Sequence, residues 1–378
     1  MYDLSFSNKK LSLRDKLCNL NYLYIFLIIV LSFIGAVTLY SAANGSWEPW
    51  AIKHVIRFGF AFSIMIFLSL LDVKYYYKLS YLFYFGSLVL LIAVEVTGHI
   101  GMGAQRWINF GIFRIQPSEL MKIGMVLFLA RYFSSMTMQS IRSVRGVIIP
   151  TVMALIPVAL IILQPDLGTG LMLLFTTTIL LFVIGVQWWK FASVGVIIVT
   201  LLPIAWNFLH EYQRNRVLTF LNPERDPLGA GYHIIQSKIA FGSGGIFGKG
   251  FLHGTQTHLN FLPEKHTDFI FTMFSEEFGM VGSVFIVLIN MLVIAMGYMF
   301  AFKTKNYFAK LVIIGLNTNY FLYVFINIAM VMGLLPVVGV PLPLISYGGT
   351  VMFSIMVSFG IILCMYVNQN NNMNVDDD

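Results

Sequence analysis

Asp268 closes the hexapeptide Pro263-Glu264-Lys265-His266-Thr267-Asp268, directly ahead of a long apolar run. A carboxylate at the mouth of a helix is a candidate general base, and Lys265 and His266 beside it would tune its ionisation. Aspartate is also a favoured helix cap, and on position alone the cap is the safer reading. A second cluster, Gly101–Lys122, reads GMGAQRWINFGIFRIQPSELMK. Pro117 suits the first turn of a helix, where its missing N–H costs nothing. Ser118 and Glu119 then sit at the positive end of that helix. Glu119 and Lys122 are three apart and share a helical face. Such a pair inside a membrane is either a functional site or a structural ion pair. Trp107 beside Arg106 reads, by itself, as an interfacial aromatic anchor.

Two further clusters are less specific. Arg214, Arg216 and Lys238 suit phosphate oxygens, and Gly242, Gly244, Gly245, Gly248 and Gly250 could bring backbone N–H groups to an anion. A glycine-rich loop is more often a plain turn. Tyr232–Phe241 reads as a half-buried interfacial helix. The segment GLLPVVGVPLPLISYGG, Gly333–Gly349, breaks helix at membrane depth, which is tolerated only where backbone lines a cavity or is buried in protein. Ser346 is its main polar contact. Asp166, in the turn Gln164-Pro165-Asp166-Leu167-Gly168, reads as a turn or cap residue rather than a catalyst.

The elements that must hold these residues are membrane spans. Of 378 residues 58% are hydrophobic and 11% charged, with mean hydropathy +0.80. A soluble domain carries about a quarter charged residues, so lipid is the solvent. Apolar runs at 22–41, 54–71, 79–97, 118–134, 146–163, 168–186, 191–209, 275–301, 310–332 and 350–368 each approach the roughly 20 residues that cross a bilayer. The reading is an all-α polytopic protein of about ten spans, one domain over 1–378. Residues 1–20 and 369–378 form tails, and 210–274 form a large outer loop between spans seven and eight. The first run lacks a small-residue cleavage site and reads as an anchor rather than a signal peptide. Cys18 and Cys364 offer neither a metal spacing nor a disulfide framework.

With the N-terminus inside, Lys9, Lys10, Arg14, Lys16, Lys74, Lys78, Arg131, Arg142, Arg145, Lys190, Lys303, Lys305 and Lys310 fall on the cytoplasmic side. Only Lys53, Arg57, Arg106, Arg114 and Lys122 fall on the short outer segments and adjoining helix ends. That bias explains the net charge of +7 and puts both termini inside. The basic residues are scattered among apolar spans, which argues against nucleic acid as a partner.

The motifs RWINFGIFRIQPSE, QPDLGTG, RNRVLTFLNPERDPLGAGYHIIQSKIAFGSGG, LPEKHTDFIF and PLPLISYGG occur in that order. Together they resemble the SEDS family (shape, elongation, division, sporulation) of cell-wall polymerases, over nearly the whole chain. The run GKGFLHGTQTHLNFLPEKHTDFIF is more similar to the rod-shape branch than to the division-type FtsW branch, where a small residue tends to stand in place of Lys265. The resemblance implies a peptidoglycan glycosyltransferase of the bacterial cytoplasmic membrane, polymerising lipid II into β-1,4 glycan during elongation. It makes Asp268 the essential acid and carries Trp107, Glu119, Lys122 and Ser346 into the site. The other motif residues, Arg106, Arg114, Gln116, Ser118, Arg214, Arg216, Lys238, Glu264, Lys265, His266 and Thr267, become binding or supporting candidates. It also implies a class B penicillin-binding protein and the elongation machinery as partners. A diphosphate leaving group wants Arg, Lys or a divalent cation such as Mg or Mn, and no cofactor is certain. One inversion at an α-linked diphosphate yields the β bond. A lipid II flippase would instead need polar residues through the bilayer midplane, and a scaffold would need no such acid.

Overall fold

Length and apolarity of the runs dictate the architecture: backbone polar groups in lipid must be satisfied within the segment, so each run becomes a helix. The computed structural model describes residues 11–369, except 98, 102–103, 110–113, 209–210, 223, 225–229 and 259–263. A short α1 (Leu13–Cys18) precedes the long helices α2 (Tyr22–Ala42), α3 (Ala51–Ser69) and α4 (Val73–Thr97). Then come α5 (Pro117–Ser134), the short α6 (Met138–Arg142), α7 (Val144–Leu163), α8 (Leu167–Ile184) and α9 (Trp188–Phe208). Between α9 and the last three long helices lie α10 (Glu211–Leu221), α11 (Ala230–Ser243) and α12 (Thr255–His258). The chain ends on α13 (Ile270–Lys303), α14 (Tyr307–Val331) and α15 (Gly349–Val367).

Each of the ten predicted runs falls on one of these helices. Eight helices among the described residues are long and apolar enough to cross a membrane, α5 and α9 standing apart from that set. Polar caps mark several starts, as expected where orphan N–H groups need acceptors. Asn21 accepts from Tyr24 N (2.9 Å), Asp166 from Thr169 N (3.3 Å) and Asn306 from Ala309 N (3.1 Å). Pro117 begins α5, as its fixed φ predicts. The core sits along α14 and α15, which are mostly buried against α3, α5, α8 and α13. Phe26, Phe33, Phe60, Phe67 and Val96 point outward, as side chains do where lipid replaces water.

Three features depart from the sequence reading. The all-α expectation misses a small antiparallel sheet between α4 and α5: β1 (His99–Gly101), β2 (Ala104–Asn109) and β3 (Arg114–Ile115), in the order β1-β2-β3. The loop expected over 210–274 is largely helical, and the expected interfacial helix lies within α11. Finally, α13 begins at Ile270 rather than near 275 and is interrupted at Gly279 (φ 66°, ψ −161°).

Candidate active site

The Asp268 turn is tied down carbonyl by carbonyl. Tyr347 N donates to His266 O at 2.8 Å, Ser346 Oγ to Thr267 O at 2.7 Å and Asn327 Nδ2 to Asp268 O at 2.9 Å. Ser346 also accepts from Leu342 N at 2.8 Å, so it is the polar contact the sequence suggested. The proline-rich segment therefore serves as a backing plate for the turn. Gly339 lies beside the acid: a side chain there would place its first carbon 3.5 Å from Asp268 Oδ2, at a φ of +75° that favours glycine anyway.

Asp268 itself is half-buried, and the cap reading does not hold. The residue at the cap of α13 is Phe269, without a side-chain bond, and among the described residues no donor is bonded to the Asp268 carboxyl. Burial first, and the Glu264 carboxylate second, push this carboxyl up from 3.8 to about 6. Burial likewise lowers Lys265, and lowers His266 with Glu264 opposing the shift. Thr267 Oγ1 donates to Glu264 Oε2 at 2.8 Å, which orients that second carboxylate. Asp268 can thus take up a proton near neutrality, at a surface where its lone pairs remain available.

A face of α3 that the sequence reading counted only as topology completes one wall. Trp50, His54 and Arg57 recur at helical spacing. Trp50 stacks on His266 (centroids 4.5 Å, 10°), and the Arg57 guanidinium lies 4.7 Å over the Tyr347 ring. His54 Nε2 meets Ser32 Oγ at 3.3 Å. The i, i+4, i+7 pattern is visible in the sequence once the helix is placed, but its partners at 266 and 347 are not.

The Glu119–Lys122 pair forms as expected and is almost wholly buried, at 4% and 1% exposure. Lys122 Nζ lies 2.8 Å from Glu119 Oε1 and hydrogen-bonds Tyr323 OH. Tyr323 OH donates to the Glu119 carboxylate at 2.6 Å, and Ser354 Oγ to Glu119 Oε2 at 2.7 Å. Tyr323 and Ser354 come from α14 and α15, so no local pattern announces them. Gln116 Nε2 donates to Asp166 Oδ2 at 3.1 Å, while Asp166 caps α8 as read. Gly168 packs on Val338, so this turn braces the same proline-rich segment from the other side. Ser118 is buried beside Glu119, and Trp107 is half-buried on β2, paired with His99.

Several phosphate-binding candidates are engaged elsewhere. Arg106 donates to Gln164 O (3.0 Å) and Pro165 O, and Arg214 to Trp206 O (2.9 Å) and Asn207 O (2.7 Å). Both guanidinium groups meet carbonyls at helix C-termini, the negative ends of the dipoles. The glycine cradle is also otherwise occupied. Gly248 N donates to Gly244 O and Gly250 N to Glu277 O, because this loop packs on the break in α13. Lys238 lies against Gly333, next to the proline-rich segment. The side chains of Arg114 and Arg216 lie outside the described residues. No three His, Cys, Asp or Glu side chains among the described residues converge as a metal site.

A family model for the cell cycle proteins of the FtsW, RodA and SpoVE group matches residues 17–371. The chain belongs to this family. Among its relatives, the peptidoglycan glycosyltransferase MrdB of Escherichia coli is 40% identical, over 91% of this chain and 92% of that one. The peptidoglycan glycosyltransferase RodA of Treponema pallidum is 30% identical, over 92% and 98%. Two solved structures share the fold. One, described as the structural coordination of polymerization and crosslinking by a peptidoglycan synthase complex, has a TM-score of 0.80 at 31% identity, over 93% of this chain and 98% of that one. The rod shape determining protein RodA of Thermus thermophilus has a TM-score of 0.70 at 26% identity, over 93% and 97%. A family of helical membrane proteins fits a bundle whose outer helices present phenylalanines to lipid.

Proposed function

We infer that this chain is an elongation-type peptidoglycan glycosyltransferase and that Asp268 is its general base. Family membership and the MrdB relative support the activity. The role of Asp268 rests on one observation: a half-buried carboxyl held at about 6, without a bonded donor among the described residues, on a turn whose three carbonyls are fixed from outside. In this reading a sugar hydroxyl of the acceptor gives its proton to Asp268 as its oxygen attacks C1 of the donor sugar. The C1–oxygen bond to the diphosphate breaks, and the lipid diphosphate leaves with that electron pair. The substrate is lipid II, whose polyprenyl tail stays in the bilayer while its sugars reach the ends of α13 and α15. No step is assigned to a metal.

The reading places the site on the outer face of the cytoplasmic membrane. It also pairs the chain with a separate crosslinking enzyme, a class B penicillin-binding protein, which the likeness to a peptidoglycan synthase complex supports. Purified protein given labelled lipid II, alone and with such a partner, should yield glycan strands on a gel. Absence of polymer in both cases, from folded protein, would overturn the assignment. Recovery of the partner with the chain from solubilised membranes tests the pairing, and activity unchanged by its removal would show the complex is dispensable.

A further inference from the structure

Asn327 carries no role in the reading so far, and its surroundings give it one. It lies one turn before the end of α14 and is wholly buried. Its Nδ2 donates both hydrogens, one to Asp268 O (2.9 Å) and one to Val340 O (2.7 Å). Two carbonyls can only accept, so the orientation of the amide is dictated by its partners. The remaining atom, Oδ1, is buried and lacks a hydrogen-bond partner among the described residues. An unpaired buried acceptor is unfavourable. A leucine of similar size would carry neither the stranded oxygen nor the two donors.

We propose that Asn327 is the positioning residue for Asp268, clamping its turn to the Gly339–Val340 backbone so that the carboxyl keeps one orientation. Three successive carbonyls of the turn are held, and among the described residues only Asn327 grips Asp268 itself, from a helix rather than from a loop. The carbonyl carbon is bonded to the Asp268 Cα, so fixing it fixes where the side chain starts. Val340 follows Gly339, which lies beside the carboxyl. One amide therefore sets the distance between the acid and the wall it faces. A misplacement of about 1 Å at such a site can cost on the order of 100-fold in rate.

The inference rests on Asp268 being the base, and the test separates the two. Full-length Asn327→Ala, Asn327→Gln and Asn327→Asp are compared with the parent and with Asp268→Asn, using labelled lipid II and counting only folded protein. For Asn327→Ala, kcat per folded molecule should fall about 10- to 100-fold, with KM within about threefold. The acid limb of its rate profile should move below the parental midpoint, as water reaches a loosened Asp268. The other groups around the turn, Glu264, Lys265, His266, Tyr347 and Arg57, are unchanged by the substitution. Asn327→Gln, which keeps the amide one carbon further out, should fall between Ala and parent. Asn327→Asp keeps the shape but sets an oxygen against two carbonyls, and should match Ala. A kcat within twofold of the parent and an unmoved acid limb would overturn the proposal. So would failure of all three variants to fold, which would make Asn327 a residue of the fold alone. Parental activity in Asp268→Asn instead removes the base reading, and the clamp then has nothing to position.

Discussion

A buried carboxyl can act as a base only above its own pKa, and the same burial that makes it basic weakens the fold. Asp268 shows both sides of this. Its folded value is raised, so its contribution to stability is fully present below about 3.8 and is lost as pH rises through about 6. At pH 8 the charged form then costs on the order of 2–3 kcal/mol. Asp268→Asn removes that charge without changing shape. Glycan synthesis should fall about 10²- to 10⁴-fold, while the variant melts higher than the parent at pH 8 and alike near pH 4. In the parent, synthesis should decline as pH drops through about 6. A variant that polymerises normally would remove Asp268 from the chemistry, and one that melts lower at pH 8 would give the carboxylate a structural role. At this scale the sequence carries the acid through the resemblance of its LPEKHTDFIF motif, since polar company ahead of an apolar run favours a helix cap by itself. It does not carry Asn327, Trp50 or Arg57. Each sits inside or beside an apolar stretch, and each acquires meaning only from a residue more than 50 positions away, such as Asp268 or His266.

Helices are legible here because lipid enforces them, and irregular backbone is not, because tertiary contacts decide it. The break at Gly279 has no local signature in Glu276-Glu277-Phe278-Gly279-Met280. It exists because the 245–250 loop supplies what the helix gives up. Met280 N donates to Gly245 O and Val281 N to Ile246 O, while Lys249 N and Gly250 N donate to Glu276 O and Glu277 O. Lys249 also pairs with Glu276, at 2.8 Å, and Ser41 donates to Glu277. Any side chain at Gly279 would meet Gly248 N at 2.3 Å, at a φ of +66°. Gly279→Ala should lower stability by at least about 1–3 kcal/mol, read as earlier melting in detergent; unchanged melting would mean that the loop does not pack on the break. The buried Glu119–Lys122 pair on α5 makes the opposite kind of forecast. Glu119→Ala strands Lys122 and should cost about 3–5 kcal/mol, whereas replacing Glu119 and Lys122 together by Leu and Met should restore much of it. If the double variant is no better than the single, the pair has a role beyond mutual neutralisation. The sheet before α5 escaped the reading because its strands are three, six and two residues long, too short for periodicity to register.

Across the whole molecule, the contacts sort themselves into two ends. At one end Lys16 donates to Leu70 O and pairs with Asp72, Arg131 donates to Tyr77 O and Lys78 O, and Lys190 donates to Arg142 O. Lys305 N donates to Gln369 O at the same end, joining the α13–α14 connection to the C-terminal segment. At the other end Asp268, Ser346, Gln164, Asp166 and Trp50 gather, and every contact of the Asp268 turn belongs there. Polar side chains also occur between: Asn290, Asn317 and Tyr320 are buried in α13 and α14. They bond one another and nearby backbone, Tyr320 OH to Asn290 Oδ1 and Asn317 Nδ2 to Ile294 O, as interhelical glue does. The sequence reading had polar residues crowding the outer end, and these lie within the spans. Their bonding argues for a packed seam rather than a flippase path. The basic end carries the lysine and arginine excess, and under the proposed function the positive-inside rule would orient it to the cytoplasm and the site to the outer face. Reporters fused after Glu211 and after Lys305 should therefore report opposite sides. The first would lie on the face of Asp268, and the second beside the C-terminal segment that Lys305 contacts. A reporter active only outside should work at the first junction and fail at the second. The same side at both would mean that α13, the long helix between the two junctions, does not cross.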